Sequence, residues 1–141
     1  RLAATCPAPQ SSAAVGCVGA AGAPQLHVSS AWVGGHVLES GSQMAPTTLA
    51  VTVRGFAPTS LPIATLLPQA APGCILGVDP VSLGLIATLS GSAESQLLLP
   101  NDPSIVGAVL YSQWVALEVD AALTVIGVSA TNAVASTVGL F

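Results

Sequence analysis

Proline or glycine closes almost every apolar run in this chain, and that punctuation decides the fold class before anything else does. Eleven prolines and fourteen glycines are spread through 141 residues, and each weakens or ends a helix. Between them lie short runs of Val, Leu, Ile, Thr and Ala, which suit a pleated, half-buried surface. Residues 48–53 alternate Thr48, Ala50 and Thr52 with Leu49, Val51 and Val53, the period-two pattern of a strand with two different faces. By the same reasoning strands are predicted over 25–32, 61–67, 74–78, 81–89, 95–99, 106–119, 122–128 and 130–138, with Pro68, Pro72-Gly73, Asp79-Pro80 and Gly91 marking gaps. The stretch Asn101-Asp102-Pro103-Ser104 predicts one capped helical turn, proline near its first position.

About eight or nine short strands with no internal repeat point to an all-β, two-sheet antiparallel β-sandwich, jelly-roll or Ig-like. At 141 residues and 13.8 kDa one domain is expected, with residues 17–141 as the sandwich. Residues 1–16, RLAATCPAPQSSAAVG, hold almost no large apolar side chain. They read as an extended N-terminal arm that packs on a neighbour.

Charge excludes several functions. Only 6% of residues are Asp, Glu, Lys or Arg, against about 25% in ordinary soluble domains. The two cations are Arg1 and Arg54, with no lysine to neutralise phosphates, so nucleic-acid binding is not expected. The six carboxylates, Glu39, Asp79, Glu94, Asp102, Glu118 and Asp120, are scattered. A hydrophobic fraction of 52% and a mean hydropathy of +0.79 raise the question of a membrane span. The best candidate, residues 121–141, is broken by Thr124, Ser129, Thr131, Asn132, Ser136 and Thr137, so no membrane span is expected.

The first residue is arginine rather than methionine, which fits a mature form freed of a signal peptide. The three cysteines, Cys6, Cys17 and Cys74, lack the C-x-x-C pairs and neighbouring histidines of a zinc or redox site, so disulfide use is the better reading. Composition alone permits any of three pairings.

The residues Val15-Gly16-Cys17, Thr48 to Val53 with Gly55, Ala71-Pro72-Gly73-Cys74-Ile75-Leu76 and the segment Leu99-Pro100-Asn101-Asp102-Pro103-Ser104-Ile105-Val106-Gly107 occur in a telling order. Leu110-Tyr111-Ser112-Gln113-Trp114 follows, then a final apolar strand pair. Over residues 15–139 the chain resembles a secreted β-sandwich domain common in planctomycete and related bacterial extracellular proteins, often a C-terminal module. The resemblance implies a sandwich, export and a link between Cys17 and Cys74, and it carries over no catalytic residue. Cys6 and its arm depart from the pattern, leaving Cys6 as a spare or intermolecular thiol.

Enzyme motifs are missing: there is no G-x-S-x-G, H-E-x-x-H, Walker loop or G-x-G-x-x-G. No catalytic, cofactor or metal residues are therefore assigned. His27 falls on the first strand and His36 beside the Gly34-Gly35 turn, neither with ligands at metal spacing. Glu118 and Asp120 share one strand face, which fits strand-end charge better than calcium, since calcium takes six or more oxygens. A polysaccharide-binding module would need an aromatic platform. Trp32, beside glycines, and Trp114 are the contact candidates, although Tyr111 and Trp114 point to opposite faces of one strand.

The remaining clue is the lack of lysines and other charges that guard strand edges in β-proteins. It predicts a non-enzymatic structural subunit of an extracellular filament or cell-surface assembly, polymerised with copies of itself through the arm and apolar strand edges. A carbohydrate- or surface-binding module is the alternative, and an uncharacterised hydrolase a more distant one.

Overall fold

The computed structural model describes residues 11–14 (backbone only), 16–70 and 73–139. Among them the chain is all-β, with antiparallel sheets packed as a sandwich. Its strands are β1 (Ser11–Ala14), β2 (Gln25–Val28), β3 (His36–Ser42), β4 (Thr48–Gly55), β5 (Pro58–Pro62), β6 (Ile75–Val78), β7 (Ser82–Ala87), β8 (Ala93–Leu98), β9 (Val109–Val119), β10 (Val125–Ala130) and β11 (Ala133–Thr137). Single 3-10 turns, η1 (Ile63–Thr65) and η2 (Pro103–Ile105), follow β5 and precede β9.

The central sheet runs β1-β11-β9-β4-β7, with β10 also beside β9. β10 and β11 lie end to end along the same side of β9. Between Ala130, opposite Val115, and Val134, opposite Ser112, that side carries one residue more than β9 does, so the broken strand bulges at Thr131 and Asn132. The bulge is put to use: the Thr131 hydroxyl accepts the Trp114 N–H (2.9 Å). The Asn132 amide accepts from Leu26 N (3.0 Å) and donates to its carbonyl oxygen (3.3 Å), tying β2 to the sheet.

Strict alternation gives the central sheet two buried faces. Ala50, Trp114, Ala116 and Val134 pack with Leu26 and Met44 under the sheet β2-β3-β8. Val53 and Val115 face the other way, into Ile63, Leu76 and Val78 of the β5-β6 layer. Cover on both sides explains why β9 is buried almost throughout.

The strand count exceeds expectation because two strands lack the apolar alternation that marks the rest. β3 turns Val37, Glu39 and Gly41 inward, a set that includes a charge and a glycine, so His36 opens a strand instead of lying in a turn region. β1 lies within the expected arm: Ser11 and Ser12 pair with Ala135 and Val134 of the same chain. This part of residues 1–16 therefore extends the chain's own sheet. Residues 1–10 and 15 lie outside the described residues. The strand expected over 61–67 ends at Pro62, which cannot donate to a ladder. There the Thr65 hydroxyl donates to the Pro62 carbonyl oxygen (2.7 Å) and the chain turns into η1.

The expected capped turn is η2, where the Asp102 carboxylate accepts from Ser104 N (3.0 Å). That backbone bond first, and the Ser104 side chain second, hold the Asp102 carboxyl below the usual aspartate range. A depressed folded value stabilises the turn above the unfolded value, and the effect is lost as pH falls through the folded one. Carbon-13 titration of Asp102 is expected to give a midpoint below that of an exposed aspartate, and a midpoint in the ordinary range would contradict the cap.

Gly41 makes room for the largest core side chain. A Cβ there would run into the Trp114 ring, which is fully buried. Gly41→Ala is expected to destabilise the fold by about 1–3 kcal/mol through overpacking, read as a lowered urea midpoint with unchanged slope.

Candidate functional site

Cys17 and Cys74 form a disulfide, with Cα atoms 5.2 Å apart across 57 positions of sequence. Cys17 N donates to Ala130 O (3.0 Å), and Cys74 is buried in the core against the β5-β6 layer. Cys6 lies outside the described residues.

The other singled-out residues do not converge. His27 on β2 stands opposite Ser40, and His36 on β3 opposite Leu98, both exposed. Glu118 accepts the Ala20 N–H (2.8 Å), whereas Asp120 caps the β9–β10 turn by accepting from Ala122 N and Thr124 N (2.9 Å each). The two carboxylates thus hold different loops. Among the described residues no three His, Cys, Asp or Glu side chains gather in a way that would hold a metal ion.

Trp114 is not a surface contact. It has no exposure, and its indole Nε1 donates to Glu39 Oε1 (2.9 Å). Trp32 is half-buried and lies in a bridge with Gly139.

Glu39 is the residue that pattern reading missed. Its carboxylate is wholly buried and accepts at Oε2 from Arg54 Nε (2.8 Å) and the Ser112 hydroxyl (3.0 Å) as well as from Trp114. Arg54 in turn donates from Nη2 to Ser95 Oγ (2.9 Å). One ion pair therefore links β3, β4, β8 and β9 across the sandwich. Neither Glu39 nor Arg54 lies in an apolar alternation, so no sequence signal joined them.

The strand edges give the clearest surface feature. β5 has Pro58 and Pro62 at its ends, β8 carries Glu94, and Asn132 bonds the backbone of β2. The free side of β6 is held by Gln113, which accepts from Gly77 N (2.8 Å) and donates to Ile75 O (3.1 Å). β7 has none of these guards. It pairs with β4 alone among the described strands, and Ser82–Ala87 contains no charge and no proline. Val81, Leu83 and Leu85 stand 67%, 65% and 64% exposed, in a row on one face. Leu83 also borders an apolar groove of about 250 Å³ with Val51, Ile63 and Leu66.

No helix among the described residues is long and apolar enough to cross a membrane. Comparison with protein-family models, curated proteins and solved structures finds no match to this chain.

Proposed function

We propose that this chain is a non-enzymatic structural subunit that associates with copies of itself at the cell surface or outside the cell. The observation carrying this reading is β7, an unguarded edge of the central sheet with a row of exposed leucines and valine. Unpaired strand edges recruit further strands through backbone hydrogen bonds, and apolar rows add burial. The disulfide supports an oxidising compartment, since such bonds are rare in the cytosol.

Strand direction governs what form the assembly takes. Four successive antiparallel pairings separate β7 from β1, so the two outer strands of the sheet run the same way. A copy that adds its β1 side to β7 makes a parallel, heterologous contact, which leaves a free edge at each end and propagates into a filament. A β7-to-β7 contact is antiparallel and closes as a two-fold dimer.

Electron microscopy and sedimentation of the purified chain are expected to show filaments or higher oligomers. Leu83→Lys with Leu85→Lys should return monomers that keep the wild-type far-UV circular dichroism, since both side chains face solvent in the isolated chain, with a melting temperature that no longer depends on concentration. Wild-type protein that sediments as a monomer at every concentration would sink the proposal.

A further inference from the structure

We infer that the partner of the open β7 edge is the same edge of a second copy, two β7 strands pairing antiparallel about a two-fold axis beside Gly84 or Leu85. The pairing rests on the self-association proposed above and selects which contact makes it. The backbone fixes the geometry. Thr88 N donates to Thr48 O, and in an antiparallel ladder every second residue exchanges bonds with the neighbouring strand. The β4–β7 register runs unshifted from Leu49 opposite Ala87 to Arg54 opposite Ser82. The even-numbered residues of β7 therefore bond to β4, and Leu83, Leu85 and Ala87 turn their N–H and C=O groups to the open side. Val81 and Leu89 end this free stretch, since their N–H groups donate to Arg54 O and Ser92 O. Matching outward residues with outward residues over the stretch centres the pair on Gly84 or Leu85.

Side chains select the partner. Leu83 lies opposite Val53 and Leu85 opposite Val51, so both leucines stand on the face that Val53 and Val115 turn toward the β5-β6 layer. In a two-fold β7 pair the leucines of both copies share that face and become cross-strand neighbours, whose contacts add to the ladder. No other edge among the described strands offers this. β1 brings only Ser11, Ser12, Ala13 and Ala14, and the outer side of β10 carries bridges from Ala70 to Val128 and from Cys17 to Ala130. β2, β5, β6 and β8 have the guards described above. Ser82–Ala87 holds no charge, so two copies meet there without the repulsion that like charges on facing strands would cause. The joined sheet ends in β1 on both sides, and larger assemblies grow from there.

Cross-linking and two proline variants of the whole chain test the pairing. In a Cys6→Ser background, Leu85→Cys treated with a short bismaleimide should give covalent dimers, because position 85 of the two copies lies within about 10 Å in either register. A head-to-tail contact through β1 sets equivalent residues five strands apart, about 24 Å at the usual strand spacing, and gives none. Ala87→Pro removes one outward N–H and keeps both leucines. It should weaken association at least about tenfold by sedimentation, for one hydrogen bond lost from each copy. Its far-UV circular dichroism should stay that of the wild type, since an edge strand accepts proline where the N–H faces outward. Thr88→Pro, which removes the N–H held by Thr48, should instead lower the melting temperature. Oligomers that give no cross-link at position 85, or that Ala87→Pro leaves undiminished, would overturn the two-fold pairing while self-association stands. Equal loss of stability in the two proline variants would overturn it as well, by showing that Ala87 bonds within the sheet. Wild-type monomers at every concentration would overturn both the pairing and the self-association beneath it.

Discussion

Arg54→Met is expected to destabilise the protein by about 3–5 kcal/mol, the range for breaking one side of a buried ion pair. Glu39 is fully buried, and Arg54 supplies its sole opposite charge among the described residues. In the variant the carboxylate keeps only the neutral donors Ser112 and Trp114. Two hydrogen bonds do not offset the desolvation of a carboxylate left without its counter-charge. Domains of this size have about 5–15 kcal/mol in all, so the loss is a large share of the total. Urea titration gives the reading, as a fall in midpoint at constant slope. The double variant Glu39→Met with Arg54→Met should recover much of the loss, since apolar replacement of a whole buried pair is often close to neutral. A single-variant loss under about 1 kcal/mol would mean that water reaches the pair, contrary to the burial of Glu39. Recovery in the double variant would leave alignment of the layers as the pair's contribution, because its bonds fix β3 and β8 against β4 and β9.

What the sequence disclosed and what it hid divide along one physical line. Apolar alternation over Thr48 to Val53 and the Val-rich run of β9 located the centre of the sheet, since both strands are covered on two faces and the spacing of their apolar side chains records it. The cap at Asp102 was legible because its chemistry is local, a side chain bonding a backbone two residues on. β3 was not legible, because its inward residues Val37, Glu39 and Gly41 make sense only beside Arg54 and Trp114, fifteen and seventy-five positions from Glu39. Trp114 was mistaken for a contact aromatic for the same reason: the partner of its N–H lies on a distant strand. The open edge was foreshadowed by the missing lysines, yet composition could not say which edge. Asn132 and Gln113 close β2 and β6 with amide side chains, the kind of guard that a count of charges overlooks. Only once those two are placed is β7 seen to be open.

Removing the disulfide by Cys17→Ala with Cys74→Ala is expected to lower stability by about 4 kcal/mol, the loop-closure value for a bridge spanning this length of chain. The separation is 57 positions, and the Cys17 end is already seated by its backbone bond to Ala130 on β10. The bridge thus pins the segment that precedes β6 to the central sheet. That location makes the loss uneven. β5 and β6 form a sheet of only two strands, and such a unit is marginal unless something packs or ties it. Its other attachments include the Gln113 side chain, the bridge between Ala70 and Val128, and the contacts of Ile63, Leu76 and Val78 with Val53 and Val115. Without the bridge, hydrogen exchange at the β6 amides should accelerate well before exchange in β4 or β9, because local opening of a weakly tied layer precedes global unfolding. The melting temperature should fall by roughly 10 °C or more, given the usual relation between free energy and midpoint for a domain of this size. Uniform acceleration across all strands would show that the layers unfold as one unit. An unchanged midpoint would show that apolar packing over Val53 and Val115 holds the layer without help. Since the groove beside Leu83 lies between this layer and β7, a loosened layer should also disturb assembly, and the reduced protein should lose its oligomers together with its β6 protection.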